Sequence, residues 1–274
     1  MNILELLKLS FINLFYLLGG FIGFGLIFDR IEYLNNKLIF STFGKMGVII
    51  TGFIGTVVHE LSHFIMCLIF GHKVTEVKLF RPIAGQSDGL LGYVSHSYNK
   101  NNLYQTTGNF FIGIAPLIGG TITIIILFKL LLPNTYQSVV DYINLNEYIK
   151  AMNSFNVIGV FKIFINDMGF VVRGLFFNKD IFSIRYLIFI FSMYSISTHM
   201  SLSSADLKGS LSGLSVIFVI VLVFTFITSL LGANMSFLST ILIKYNVFVV
   251  LFMLIGLFFS LLTLTISYIF SMII

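Results

Sequence analysis

Polar and apolar positions along this chain segregate into uncharged runs, each long enough to cross a bilayer as a helix of about 20 residues, joined by short polar segments. Residues 11–28 form the first uncharged run, with Gly19, Gly20, Gly23 and Gly25 along it. Small residues let membrane helices approach closely. Residues 29–45 read as a polar connection, and 46–70 as a second span. Within the second, Gly52, Gly55, His59 and His63 recur at three- and four-residue steps, which puts them on one helical face. That face predicts close packing against a neighbour or space for a peptide. Gly71 stops the helix by the C-terminal glycine rule.

The period then changes. Residues 74–80 alternate like a strand, 90–96 match them as a partner, and the turn-rich 81–89 lies between. A hairpin there would offer either an unpaired edge for an extended substrate or a plain covering loop. Residues 103–128 are again uncharged, with Pro116 placed to kink or interrupt a helix. Residues 131–156 are mixed and contain Asp141 and Glu147. Residues 157–177 are apolar but broken by Lys162, Asp167 and Arg173, the pattern of an interfacial helix or a poor span. Residues 186–205 are uncharged, 209–243 are too long for one span and divide at Gly232-Ala233-Asn234, and 245–274 supply the last span. The expectation is a polytopic α-helical membrane protein of about six spans, with five or seven also accommodated, and a small β-hairpin-like insertion after the second. Its organisation reads as an N-terminal span and loop (1–45), a membrane core with the hairpin at 74–97 (46–209), and C-terminal membrane helices (210–274).

Composition agrees. The chain has 274 residues, 57% hydrophobic and 10% charged, against about 25% charged in soluble domains, and its mean hydropathy is +1.00. Little room is left for a large soluble domain. The net charge of +5 is not gathered into a Lys/Arg cluster dense enough for nucleic acid. Between residues 71 and 108, Lys73, Lys78, Arg81 and Lys100 outnumber Glu76 and Asp88, and 173–185 also lean positive. The positive-inside rule then places the hairpin, and the opening of any site beside it, at the cytoplasmic leaflet. The first run lacks an Ala-x-Ala cleavage pattern and reads as a retained helix. The abundance of Ile, Asn, Lys and Phe points to an AT-rich genome and so to a bacterial cytoplasmic membrane. Cys67 is the single cysteine, so no internal disulfide exists, and it reads as a packing residue rather than a ligand.

The chemistry concentrates at His59-Glu60-Leu61-Ser62-His63, the H-E-x-x-H zinc pattern inside an apolar helix. Two imidazoles and a carboxylate are costly in hydrocarbon without a use. Zinc hydrolysis needs three protein ligands, an open position for water and a general base. His59 and His63 supply two ligands, and Glu60 would carry the proton from water to the leaving amine. The third ligand must come from elsewhere. His72 and His96 lie in the polar region and read as surface residues. The distal stretch from His199 to Gly209 lies between apolar runs. Asp206 there could ligate through oxygen; His199 could instead ligate through nitrogen or bind a developing oxyanion. Asp206 also has a plainer reading as a helix cap or partner of Lys208. Asn109 could orient a substrate carbonyl or cap a helix. Ser201, Ser203 and Ser204 read as caps rather than nucleophiles.

The motif in an early membrane helix, the following hairpin-like region and a distal Asp-x-x-Gly segment resemble the site-2 protease family of intramembrane zinc metalloproteases, peptidase family M50. In that family the aspartate of a later Asp-Gly element is the third zinc ligand. Asp206 with Leu207-Lys208-Gly209 looks like a divergent counterpart, without the usual Asn-Pro opening and adjacent Asp-Gly. The segment around Gly108-Asn109 and Ala115-Pro116 looks like a family region near the active site. The resemblance spans 46–209 and implies a zinc-dependent endopeptidase that cleaves a membrane-associated peptide or a transmembrane segment. No PDZ-sized insertion is present, so substrate selection would fall to the hairpin, short loops or an accessory membrane protein. A catalytically inactive binding protein of the same architecture, an immunity protein or a transporter are the competing classes. Intact Glu60 argues against the first, and the lack of an internal repeat against the last.

Overall fold

The computed structural model describes residues 3–154, 156–177, 181–230 and 235–273. The protein is largely α-helical with one two-stranded antiparallel hairpin. In chain order the elements are α1 (Ile3–Ile69), β1 (Lys73–Lys78), α2 (Gly85–Asp88), β2 (Tyr93–Ser97), α3 (Leu103–Gly113), α4 (Ala115–Leu131), α5 (Pro133–Tyr142), α6 (Leu145–Asn153), α7 (Val157–Phe176), α8 (Ile184–Ser197), α9 (Ser204–Leu230) and α10 (Met235–Ile273).

The first difference from the sequence reading is α1. The expected polar connection at 29–45 is helical up to a single break at Gly44, whose φ of 63° and ψ of −160° only glycine adopts readily. No proline interrupts this stretch, and Phe21, Phe28, Ile31, Asn35 and Ile39 are all buried at helical spacing. The polar residues between them occupy the other faces. Asn35 sits within the buried stripe because Ser267 of α10 donates to its Oδ1 at 2.8 Å.

Three described helices are long and apolar enough to cross a membrane: Gly19–Ile69 in α1, Ser204–Thr228 in α9 and Ile243–Ile273 in α10. The α3–α4 pair, bent by 58° at Ile114 and followed at once by Pro116, makes a fourth if counted as one broken span. Six spans are not shown among the described residues. The two early expected runs fall on either side of the Gly44 break within α1, where 19–69 counts as one apolar stretch; α7 carries three charges; and α8, with 14 residues, extends only about 21 Å against a hydrocarbon core of about 30 Å. The expected divider Gly232-Ala233-Asn234 lies outside the described residues.

The chain forms two compact units. One comprises 1–20, 125–190 and 218–255. In it Tyr148, Ile243 and Val247 form a core against α6 and α7, and the Tyr142 and Phe170 rings stack at 4.0 Å. The buried Asp167 accepts a hydrogen bond from the Tyr148 hydroxyl at 2.5 Å, while burial pushes its carboxyl above the usual range. The other unit comprises 21–124, 191–217 and 256–274, and holds every candidate site residue.

In that second unit the expected hairpin forms, with strand ends shifted by a few positions. Val77 pairs with Val94 and Lys78 with Tyr93, and a bulge falls between Val74 and Glu76. The hairpin folds back along α1. Phe80 meets Phe53 edge-on at 5.3 Å, and the Lys45 ammonium donates to the Gln86 carbonyl at 2.6 Å. At its tip Arg81 and Asp88 pair at 2.8 Å. Together with the Leu90 amide, that pairing holds the Asp88 carboxyl below its ordinary range.

Candidate metal centre

α1 presents His59 and His63 one turn apart, and each ring is fixed by a backbone carbonyl. His59 Nδ1–H donates to His199 O at 2.9 Å, and His63 Nδ1–H donates to Ile112 O at 2.8 Å. A carbonyl can only accept, so both Nδ1 atoms carry a proton, and in the neutral ring each Nε2 presents a lone pair. Those lone pairs converge: the two Nε2 atoms are 3.2 Å apart, and Asp206 Oδ1 lies 3.5 Å from His63 Nε2. Two lone pairs and an anion facing one another at such range repel unless a proton or a metal cation lies among them. Two zinc–nitrogen bonds of about 2.05 Å at a tetrahedral angle would separate the nitrogens by about 3.3 Å. The observed spacing fits that requirement. Carbonyl-held imidazoles are also the usual support of histidine ligands.

Asp206 arrives from the first turn of α9. Its Oδ2 accepts the Ser203 N–H at 2.9 Å, while the Asp206 N–H donates to Ser203 Oγ at 3.1 Å. This reciprocal cap fixes the carboxylate and leaves Oδ1 turned to the histidines. Both sequence readings of Asp206, as cap and as ligand, are thus compatible in one rotamer. Gly113 allows the approach, because a Cβ there would lie 2.6 Å from the Asp206 carbonyl.

His199 is placed differently. It reaches the cluster through its backbone carbonyl, which holds His59, while its own Nδ1–H donates to Ser195 O at 3.1 Å. Its ring lies against Gly52 and Gly55, where any Cβ would collide with it. A Cβ on Gly55 would also strike the Ser195 carbonyl, and the Gly55 amide donates to Ser195 Oγ at 2.8 Å. The glycine face predicted for this helix therefore packs against α8 and the loop that follows it. Asn109 is buried in α3, and its amide donates to Ser212 Oγ at 3.1 Å. It ties α3 to α9 rather than capping a helix.

Glu60, 9% exposed, follows His59 on α1. The hairpin passes against it: a Cβ on Gly92 would come within 2.7 Å of Glu60 Cγ, and within 3.0 Å of the Lys78 and Leu79 carbonyls. The start of the second strand thus lies between the first strand and the motif carboxylate.

Sequence reasoning missed two features. Glu32, taken as part of a polar loop, is on α1, where Ser201 hydrogen-bonds its carboxylate and His59 lies within electrostatic reach. Its signal was the apolar stripe through 28–39, which continues the helix past it. The second feature corrects the surface reading of His72, which is only 5% exposed. His72, His96 and the buried Cys67 form a second group of metal-capable side chains. Among the described residues there are therefore two clusters able to coordinate a metal: His59, His63 and Asp206, and Cys67, His72 and His96, each with its ligand atoms within 4.8 Å of one another.

Comparison with protein-family models, with curated proteins and with solved structures gave no match to the chain.

Proposed function

We propose that this protein is a zinc-dependent intramembrane endopeptidase of the site-2 protease type, with its catalytic core in residues 46–209. The supporting observation is the convergence of His59 Nε2, His63 Nε2 and Asp206 Oδ1, with both imidazoles oriented by backbone carbonyls and Glu60 next in sequence. His59, His63 and Asp206 are the residues that would hold zinc. Zinc bound there would supply Lewis acidity and bring the pKa of water toward about 7. Glu60 accepts the proton of the attacking water and delivers it to the leaving amine. His199 is a positioning residue that acts through its carbonyl on His59.

The substrate class follows from the hairpin. A two-stranded sheet has unpaired backbone groups on its outer edges, and Gly92 brings the hairpin against Glu60. An extended peptide adding to such an edge would lie beside the general base. A transmembrane substrate must first unwind, because a helix keeps its peptide groups in internal hydrogen bonds. The site selects membrane-associated peptides, or transmembrane segments that unwind easily, and leaves room for an accessory membrane protein to present them.

The test compares purified wild type with Glu60→Gln, using an unstructured, lipid-anchored peptide library as substrate. Wild type is expected to cleave in a chelator-sensitive way. Glu60→Gln is expected to bind the same amount of zinc with cleavage reduced at least about 1,000-fold, since it removes the proton carrier. A zinc-loaded wild type with no cleavage would favour an inactive binding protein. A folded wild type that takes up no zinc at this cluster would end the metalloprotease reading.

A further inference from the structure

We infer that Cys67, His72 and His96 form a second, thiolate-containing metal site for zinc or a similarly thiophilic cation, and that this site pins the hairpin to the end of the motif helix. The local sequence builds it. α1 ends in a left-handed turn at Gly71, with a φ of 67°. The His72 N–H donates to Cys67 O at 2.9 Å and the Gly71 N–H to Leu68 O at 3.2 Å. These paired bonds are a Schellman closure, which returns the chain over the last turn and carries the His72 side chain back beside Cys67. The third member comes from the far strand: the hairpin register sets His96 opposite Val74, two residues beyond His72.

The ligand atoms are oriented, not merely close. His72 Nε2–H donates to Gln105 O at 2.8 Å, which leaves the Nδ1 lone pair free. That Nδ1 lies 3.0 Å from His96 Nδ1, and the Cys67 sulfur is within 4.8 Å of the imidazole nitrogens. The His72 ring is further fixed by stacking on Tyr98, with centroids 5.1 Å apart and planes at 14°. Gln105 completes the support, since its amide also donates to the Gly71 carbonyl at 2.8 Å. One thiolate with two imidazoles selects zinc or another soft cation over magnesium or calcium. Three protein ligands leave the fourth position open. The competing arrangement is a plain His96-to-His72 hydrogen bond, in which sulfur takes no part.

Sulfur ligation separates the two centres, because the first cluster contains none. The full-length protein in detergent is stripped with chelator and titrated with Co²⁺. The expected result is two equivalents bound per chain and a thiolate-to-cobalt charge-transfer absorption. Cys67→Ser should remove that absorption and one equivalent. The His59→Ala/His63→Ala double variant should lose one equivalent and keep the absorption. His96→Ala, at a half-buried position, serves where Cys67→Ser fails to fold. One equivalent with the thiolate band would support this site while overturning the assignment at His59, His63 and Asp206. Cobalt uptake by folded wild type without the band, or no uptake at all, would overturn the second site.

Discussion

Asp206 performs two tasks with two oxygens, and substitution can separate them. Oδ2 closes the cap on Ser203, and Oδ1 faces His63. Asp206→Asn keeps an oxygen for the cap but removes the negative charge. It should leave thermal stability within about 0.5 kcal/mol while lowering zinc affinity at least tenfold. Asp206→Ala loses both oxygens, adding a stability cost of about 0.5–1 kcal/mol for the side-chain half of the cap, since the Asp206 N–H to Ser203 Oγ bond is kept. Zinc titration and detergent-phase melting of the two variants read these effects independently. Equal zinc affinity in wild type and Asp206→Asn would remove Asp206 from the ligand set. At this scale the sequence was legible where chemistry is local. His59, Glu60 and His63 announce themselves by helical spacing, and Asp206 by its charge between apolar runs. Cys67, His72 and His96 were not, because a Schellman turn and a strand register bring them together. Nor was it legible that His199 would act through its carbonyl, since any residue type offers that atom.

Among the elements, α1 shows what periodicity reveals and what composition hides. The charged and amide residues at 29–45 resemble a loop by content, yet apolar positions continue at helical spacing through them, and the break falls at Gly44. Nothing lies within 4 Å of a Cβ placed there, so the demand at Gly44 is conformational, not steric. Gly44→Ala should therefore destabilise by about 1–3 kcal/mol through backbone strain alone, without changing zinc content, as melting and metal analysis would show. Gly55 makes the opposite demand: its backbone is ordinary helix, but a Cβ would press on Ser195 and His199. Gly55→Ala should cost about 1–3 kcal/mol by overpacking. It should also weaken zinc binding about 10–100-fold, because the His199 carbonyl that orients His59 would be displaced. Undiminished zinc affinity in folded Gly55→Ala would show that His59 needs no such support. The hairpin was legible from strand-like alternation around a turn-rich segment. Its fold back along α1 was not, because the contacts that set it, such as Phe53 with Phe80 and Lys45 with Gln86, join distant positions.

For the whole molecule the question is which face of the membrane the connector after the hairpin meets, and its charges favour the cytoplasmic one. Long apolar helices make this an integral membrane protein. Lys73, Lys78, Arg81 and Lys100 gather between α1 and α3 with only Glu76 and Asp88 to offset them. Translocating such a segment is disfavoured, so it should stay in the cytoplasm. The end of α1 is tied to the first turn of α3, where this connector ends, since the Tyr104 hydroxyl donates to Ile69 O at 2.6 Å and the Gln105 amide to Gly71 O. The C-terminal end of the motif helix should therefore share its side. Asn101 is exposed in the connector and is the place for a reporter. In Asn101→Cys, a membrane-impermeant maleimide should label the new thiol in inverted membrane vesicles and not in intact cells, while the buried native Cys67 stays silent in both. Labelling in intact cells would reverse the orientation, and would place the end of the helix that carries His59, Glu60 and His63 on the outer face, with peptides on that side as its substrates.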